Sequence, residues 1–218
     1  MRFRANNERE ERNKAEDGMQ RIEAFSDGVF SIAITLLILE VKIPHLAGTG
    51  QSLTRALLAL WPAYLTYILT FVTVGIYWAN HNYIFRLYQK TNHIFNMLNV
   101  IFLMCVSFMP LPASTLGEYV LDPQHRQAAV IFYTVGLLLP GLTWLLVWLY
   151  ASHDYRLIDP RLTPRYVQRM TRQYVVSALL YVLALLVSLW NPLVGLSVAA
   201  GLTCLYLLPQ NPPEYTSE

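Results

Sequence analysis

The sequence predicts an all-α, polytopic membrane fold on three observations. Of its 218 residues, 55% are hydrophobic and only 14% charged, and the apolar residues gather into about six runs long enough to cross a bilayer. A soluble domain carries roughly a quarter charged residues. Gly 10 and Pro 12, thinly spread, exclude collagen-like and low-complexity chains, and the hydrophobicity excludes disorder over most of the length. A net charge of +2, with basic residues near the ends of apolar runs, gives no footing for nucleic acid. Cys105 and Cys204 stand alone in apolar stretches, offering no disulfide framework, zinc site or redox pair, and read as small core residues.

The chain divides into a charged leader (1–20), a six-helix transmembrane domain (21–208) and a short polar tail (209–218). The spans fall near 23–43, 57–79, 94–116, 128–150, 174–190 and 192–208. The leader interleaves acids and bases (Glu8, Arg9, Glu10, Glu11, Arg12) and reads as a solvated tail. Only Asn191-Pro192 separates the last two spans, which leaves a re-entrant or tightly turned hairpin open. The segment 152–172 is an Arg-rich connector, and the tail reads as disordered. Of the 16 Lys and Arg residues, all but Lys42, Arg55 and Arg126 lie before the first span, after the second or after the fourth. That asymmetry places both termini in the cytoplasm of a multi-pass cell-membrane protein. Trp61, Tyr64, Trp78, Trp144, Trp148, Tyr150 and Trp190 stand mostly near span ends, the depth amphipathic rings prefer.

The first span is the least hydrophobic and the most informative. Between Asp27 and Glu40 every residue is uncharged, and Ser31 and Thr35 are among them. Ionisable groups at membrane depth face the protein interior or a water-filled path, which makes this helix the functional candidate. At 100° per residue, with Ile32 at zero, Leu39 falls about 20° away, Gly28 and Leu36 about 40° and Thr35 about 60°, forming one stripe. Asp27 lies about 140° from Ile32, off the stripe and toward a neighbouring helix. A carboxylate there needs partners. Trp78 and His81, spaced i and i+3 on one face of the second span with Asn80 and Asn82 beside them, reach the same membrane side, and Arg21 stands at the helix end.

These residues carry a resemblance. Arg21-Ile-Glu-Ala-Phe25-Ser26-Asp27, running on to Glu40, closely resembles the R-x-x-x-F-S-D signature opening the first helix of the transmembrane protein 175 family of lysosomal and prokaryotic potassium channels. Residues 74–81 are similar to the family's second-helix motif, and Ser107-Phe-Met-Pro110-Leu-Pro112 with Gly117-Glu118-Tyr119 to its third. One departure stands out: where the family often has two adjacent histidines, this chain has His81-Asn82. A single set of six helices resembles the prokaryotic, homotetrameric type. The resemblance implies a central pore lined by the first helix of four subunits, with permeant potassium and no cofactor. It places the constriction at Ile32, with Leu36 and Leu39 as further apolar rings, and the selectivity layer at Thr35 with Ser31. The helical wheel reaches all of these except Ser31 without it.

Thr73-Val74-Gly75-Ile76-Tyr77 mimics a carbonyl filter, but a filter needs non-helical backbone and these residues sit inside a continuous apolar run, so Gly75 reads as a close-packing site. The carboxylate then takes a structural role. Arg21, Phe25, Ser26, Asp27, Trp78, Asn80 and His81 are expected to form an interhelix network fixing the rotation of the first helix. A secondary or proton-coupled transporter using Asp27 and His81 is the alternative, opposed by the lack of paired broken helices or internal repeats. Enzyme motifs such as HExxH, GxSxG or CxxC are missing. A structural or assembly protein would conduct nothing.

Overall fold

A computed structural model describes residues 2–44, 50, 52–207 and 212–216, with side chains from Asp17 onward. The described chain is helical: α1 Arg2–Leu36, continued by a 3-10 turn Leu37–Glu40, then α2 Leu53–Ala59, α3 Trp61–Phe85, α4 His93–Ser107, α5 Pro110–Tyr119, α6 Arg126–Ser152, α7 Pro164–Trp190 and α8 Pro192–Leu205. Five spans are long and apolar enough to cross a membrane, the third made of α4 and α5 together, and α8 is a shorter apolar helix. Local sequence sets the boundaries. The side chains of Ser52, Asn92, Thr163 and Asn191 accept from the backbone N–H three residues on, and Pro164 and Pro192 follow the last two caps at a position whose N–H has no helical partner.

α6 is the hub, packed on α4, α5, α7 and α8, and α1 leans chiefly on α3 and α4 at the edge of the bundle. The core centres on fully buried Phe30, Phe85, Phe102, Tyr133, Trp148 and Tyr166. Close approach explains two glycines. A Cβ at Gly195 would run into the Ser188 backbone and hydroxyl, so α7 and α8 close as a tight hairpin across Asn191. A Cβ at Gly136 would lie 2.8 Å from Pro112 Cγ, where α6 seats the start of α5.

Several expectations are corrected. The backbone of the leader is helical from Arg2 and continuous with the first span. Trp144 and Trp148 are not interfacial but buried among the helices, Trp148 donating to Thr171 Oγ1 at 2.9 Å. Their spacing put both near a span end, yet α6 runs on to Ser152 and its last turns pack against α7. Cys204 is exposed rather than in the core. A Cβ at Gly75 would meet nothing within 4 Å, so no close approach within the subunit requires a glycine there, although the filter mimic is indeed uninterrupted helix. The third span is divided at Phe108-Met109, because Pro110 and Pro112 have no N–H to continue the helical ladder. The tail is ordered at residues 212–216. Leu162 bridges Tyr215, Thr163 N donates to Glu214 O at 2.9 Å, and Thr216 N donates to Arg161 O at 2.8 Å.

Candidate functional site

α1 has two faces. Met19, Ser26, Phe30, Ala33 and Leu37 recur at spacings of seven, four, three and four, and all are buried in the bundle. On the other side Phe25, Gly28, Ser31, Ile32, Thr35, Leu36 and Leu39 are exposed, Ile32 to 60% and Leu39 to 71%. The 3-10 turn after Leu36 advances about 120° per residue, so Leu39 stays in line with Leu36. Both hydroxyls on this face donate back into their own helix. Ser31 Oγ donates to Asp27 O at 2.8 Å, and Thr35 Oγ1 to Ser31 O at 2.9 Å and Ile32 O at 3.0 Å.

Among the described residues, two separate hydrogen-bonded links join α1 to its neighbours. In the first, Trp78 Nε1 donates to Asp27 Oδ1 at 2.9 Å, from α3 to α1. In the second, Asn99 of α4, only 1% exposed, donates from Nδ2 to Ser26 Oγ at 3.0 Å while its Oδ1 lies 3.1 Å from His81 Nε2. Ser26 passes its own proton to Ile22 O at 2.8 Å. With Asn99 Oδ1 as acceptor, His81 carries the Nε2 proton. Its ring is stacked on Phe85, centroids 3.8 Å apart, and meets Phe30 edge-on at 5.5 Å. Asp27 and His81 therefore face different partners and share no hydrogen bond. Phe25 points outward and Arg21 is exposed, making no ion pair with Asp27. Asn80 lines a cleft on the opposite side of α3.

Asn99 is the residue that sequence reasoning missed. The available signal was an amide inside an apolar span, a place where polar side chains bridge helices. At the far end of α1, Lys42 Nζ pairs with Glu118 Oε2 at 2.8 Å, and that carboxylate holds the Lys42 ammonium above its ordinary range. Among the described residues no group of three or more His, Cys, Asp or Glu could hold a metal ion.

This geometry sits on residues that match a family model. Residues 21–110 match the model described as endosomal/lysosomal potassium channel TMEM175, the stretch that holds α1 from Arg21, both links and the third span as far as its break. A potassium channel of Chamaesiphon minutus is 37% identical over 192 residues, covering 88% of this chain and 94% of that protein. The chain belongs to the TMEM175 family. The crystal structure of a lysosomal potassium-selective channel TMEM175 homolog from that organism superposes with a TM-score of 0.78 at 34% identity, covering 88% of this chain and 97% of the other. The endosomal/lysosomal proton channel TMEM175 of Gallus gallus is 34% identical over 119 residues, 51% of this chain but 24% of that protein. TMEM175 is a channel family, not an enzyme family, and the chain is a multi-pass membrane protein of its prokaryotic type. Asn82, next to His81, accepts from Arg86 Nη2 at 3.0 Å within its own helix.

Proposed function

We propose that four copies of this chain enclose a potassium-permeable pore lined by the exposed stripe of α1, with both termini cytoplasmic. The observation that supports this reading is the doubling of α1: one heptad-spaced face is spent on the subunit's own bundle, and the opposite face, equally regular, has no partner in the subunit. In a ring of four, Ile32, Leu36 and Leu39 would form apolar constrictions that close by dewetting. Thr35 and Ser31 would sit beside them as the selectivity layer. Because their protons are committed to helix carbonyls, they would offer permeating ions only lone pairs, which suits a cation. Without a cage of carbonyls, the preference for potassium over sodium is modest. The links at Asp27 and Asn99 set the rotation of α1. A transporter pair of Asp27 and His81 is not favoured, since Trp78 and Asn99 occupy the two groups separately.

Potassium flux into liposomes, wild type beside Ile32→Asn and Thr35→Ala, tests the reading. Ile32→Asn is expected to raise conductance and Thr35→Ala to lower the potassium preference. No cation flux in either wild type or Ile32→Asn would remove the pore assignment. Saturable flux tied to a proton gradient would restore the transporter.

A further inference from the structure

α7 has two faces along its whole length. From Arg165 the exposed positions alternate in steps of four and three residues, through Arg169 and Arg172 and on to Val176, Leu179 and Leu183, all on one stripe of an unbroken helix that ends at Trp190. On the other side Tyr166, Met170, Tyr174 and Tyr181 are buried, and the helix packs chiefly on α6 and α8 rather than on α1. The exposed stripe therefore turns to the bilayer, whatever surrounds α1.

Length sets its depth. Trp190, 90% exposed, closes the stripe with an indole, the ring that favours an interface. Arg172 stands 18 residues earlier, about 27 Å along the axis, against about 30 Å for the hydrocarbon core. Arg172 thus falls where the acyl chains end, with Arg169 about 5 Å and Arg165 about 11 Å farther out among the headgroups. Their charge is not spent within the subunit. Among the described residues only Glu214 pairs with any of the three, its Oε1 3.9 Å from Arg169 Nη1, and both of those side chains are nearly half exposed. Such an exposed pair is weak.

We propose that Arg165, Arg169 and Arg172 hold the phosphate headgroup of an anionic phospholipid, whose acyl chain lies along Val176, Leu179 and Leu183. The guanidinium fork matches phosphate oxygens two at a time. A zwitterionic lipid brings its own cation beside the phosphate and gains less from three arginines, so the site discriminates by net charge. A bound headgroup takes Arg169 from Glu214 and leaves residues 212–216 on their backbone bonds to Arg161 and Thr163. The proposal rests on the chain's place in a membrane and is independent of the pore.

Native mass spectrometry of the full-length protein, released from nanodiscs of equal phosphatidylglycerol and phosphatidylcholine, reads which lipid stays bound. The wild type is expected to retain phosphatidylglycerol in about ten-fold excess or more. A basic residue at headgroup depth strengthens anionic binding about five-fold, so Arg172→Gln alone should lower the excess by about that factor, and Arg→Gln at all three positions should abolish it. Arg→Lys at all three keeps the charge and should keep most of the excess. Arg55→Gln with Lys90→Gln, which removes two exposed charges elsewhere, should leave it unchanged. An excess that survives Arg172→Gln, or that the Arg55 and Lys90 changes lower as much, would overturn the proposal. Prior incubation with glycerol phosphate, a headgroup without chains, should displace nothing at equal concentration; displacement would overturn the assignment to a lipid.

Discussion

Asn99→Ala removes the side chain that joins α1, α3 and α4 at one point. Interhelical hydrogen bonds in membrane bundles are worth about 0.6 kcal/mol each on average, and two are lost. The larger contribution comes from His81, which is 1% exposed and would keep a buried N–H with no acceptor, a desolvation cost of about 1–3 kcal/mol. Ser26 retains its bond to Ile22 O and adds little. The expected destabilisation is therefore about 2–4 kcal/mol. It should be measured by reversible unfolding in mixed micelles, followed by circular dichroism. The same experiment on His81→Phe, Asn99→Leu and their combination closes a double-mutant cycle. Phe keeps the stack on Phe85, and removing both polar partners together should recover most of the loss. A value for Asn99→Ala within about 0.5 kcal/mol of wild type, or additivity across the cycle, would refute the claim that this bridge holds the three helices.

Trp78→Phe keeps a ring but loses the donor to Asp27. It should cost about 1 kcal/mol or less in the same unfolding assay, because the indole is 45% exposed in the subunit. Gly195→Ala should destabilise by about 1–3 kcal/mol through overlap with Ser188, whereas Gly75→Ala, with open space around its Cβ, should be neutral or stabilising by about 0.5–1 kcal/mol. Asp159 is paired bidentately with Arg161, Nη2 to Oδ2 at 2.7 Å, and that guanidinium holds its carboxyl below the ordinary value. Folding lowers this pKa, so the stabilisation is complete above about pH 4 and is lost as pH falls through the lower folded value. Arg161 also lies over the Tyr215 ring, so the protection of residues 212–216 against hydrogen exchange, relative to the intrinsic amide rate, should fall below about pH 4, and in Asp159→Asn already at neutral pH. Protection that stays unchanged in both would show that the tail is held without help from the Asp159–Arg161 pair.

The spans were legible because hydrophobic length is a property of the sequence itself, and α1 stood out because charge at its depth is costly. The Asp27–Trp78 link was within reach for the same reason: the carboxylate needs a partner at that level, and Trp78 is among the few polar side chains the second span offers there. The partner of His81 was not, because Asn99 comes from a third helix whose rotation no local pattern fixes. Trp144 and Trp148 show the same limit. An indole near a span end reads as interfacial until the neighbour that covers it is known, and that neighbour is α7, following a connector of its own. The tail escaped notice because its order comes from a backbone bridge to Leu162, and such pairing uses no distinctive side chain.

The unbroken helix from Arg2 to Leu36 makes a rod of roughly 50 Å, of which roughly 20 Å precedes the span beginning at Asp17. With the hydrogen-bond ladder continuous, a twist applied to the first turns is carried along one helix to the face holding Ile32 and Thr35. Only at Leu37, where the winding tightens to a 3-10 turn, can the far end slip relative to it. A grip on the first turns is thus mechanically coupled to the Ile32 stripe, with no second element in between.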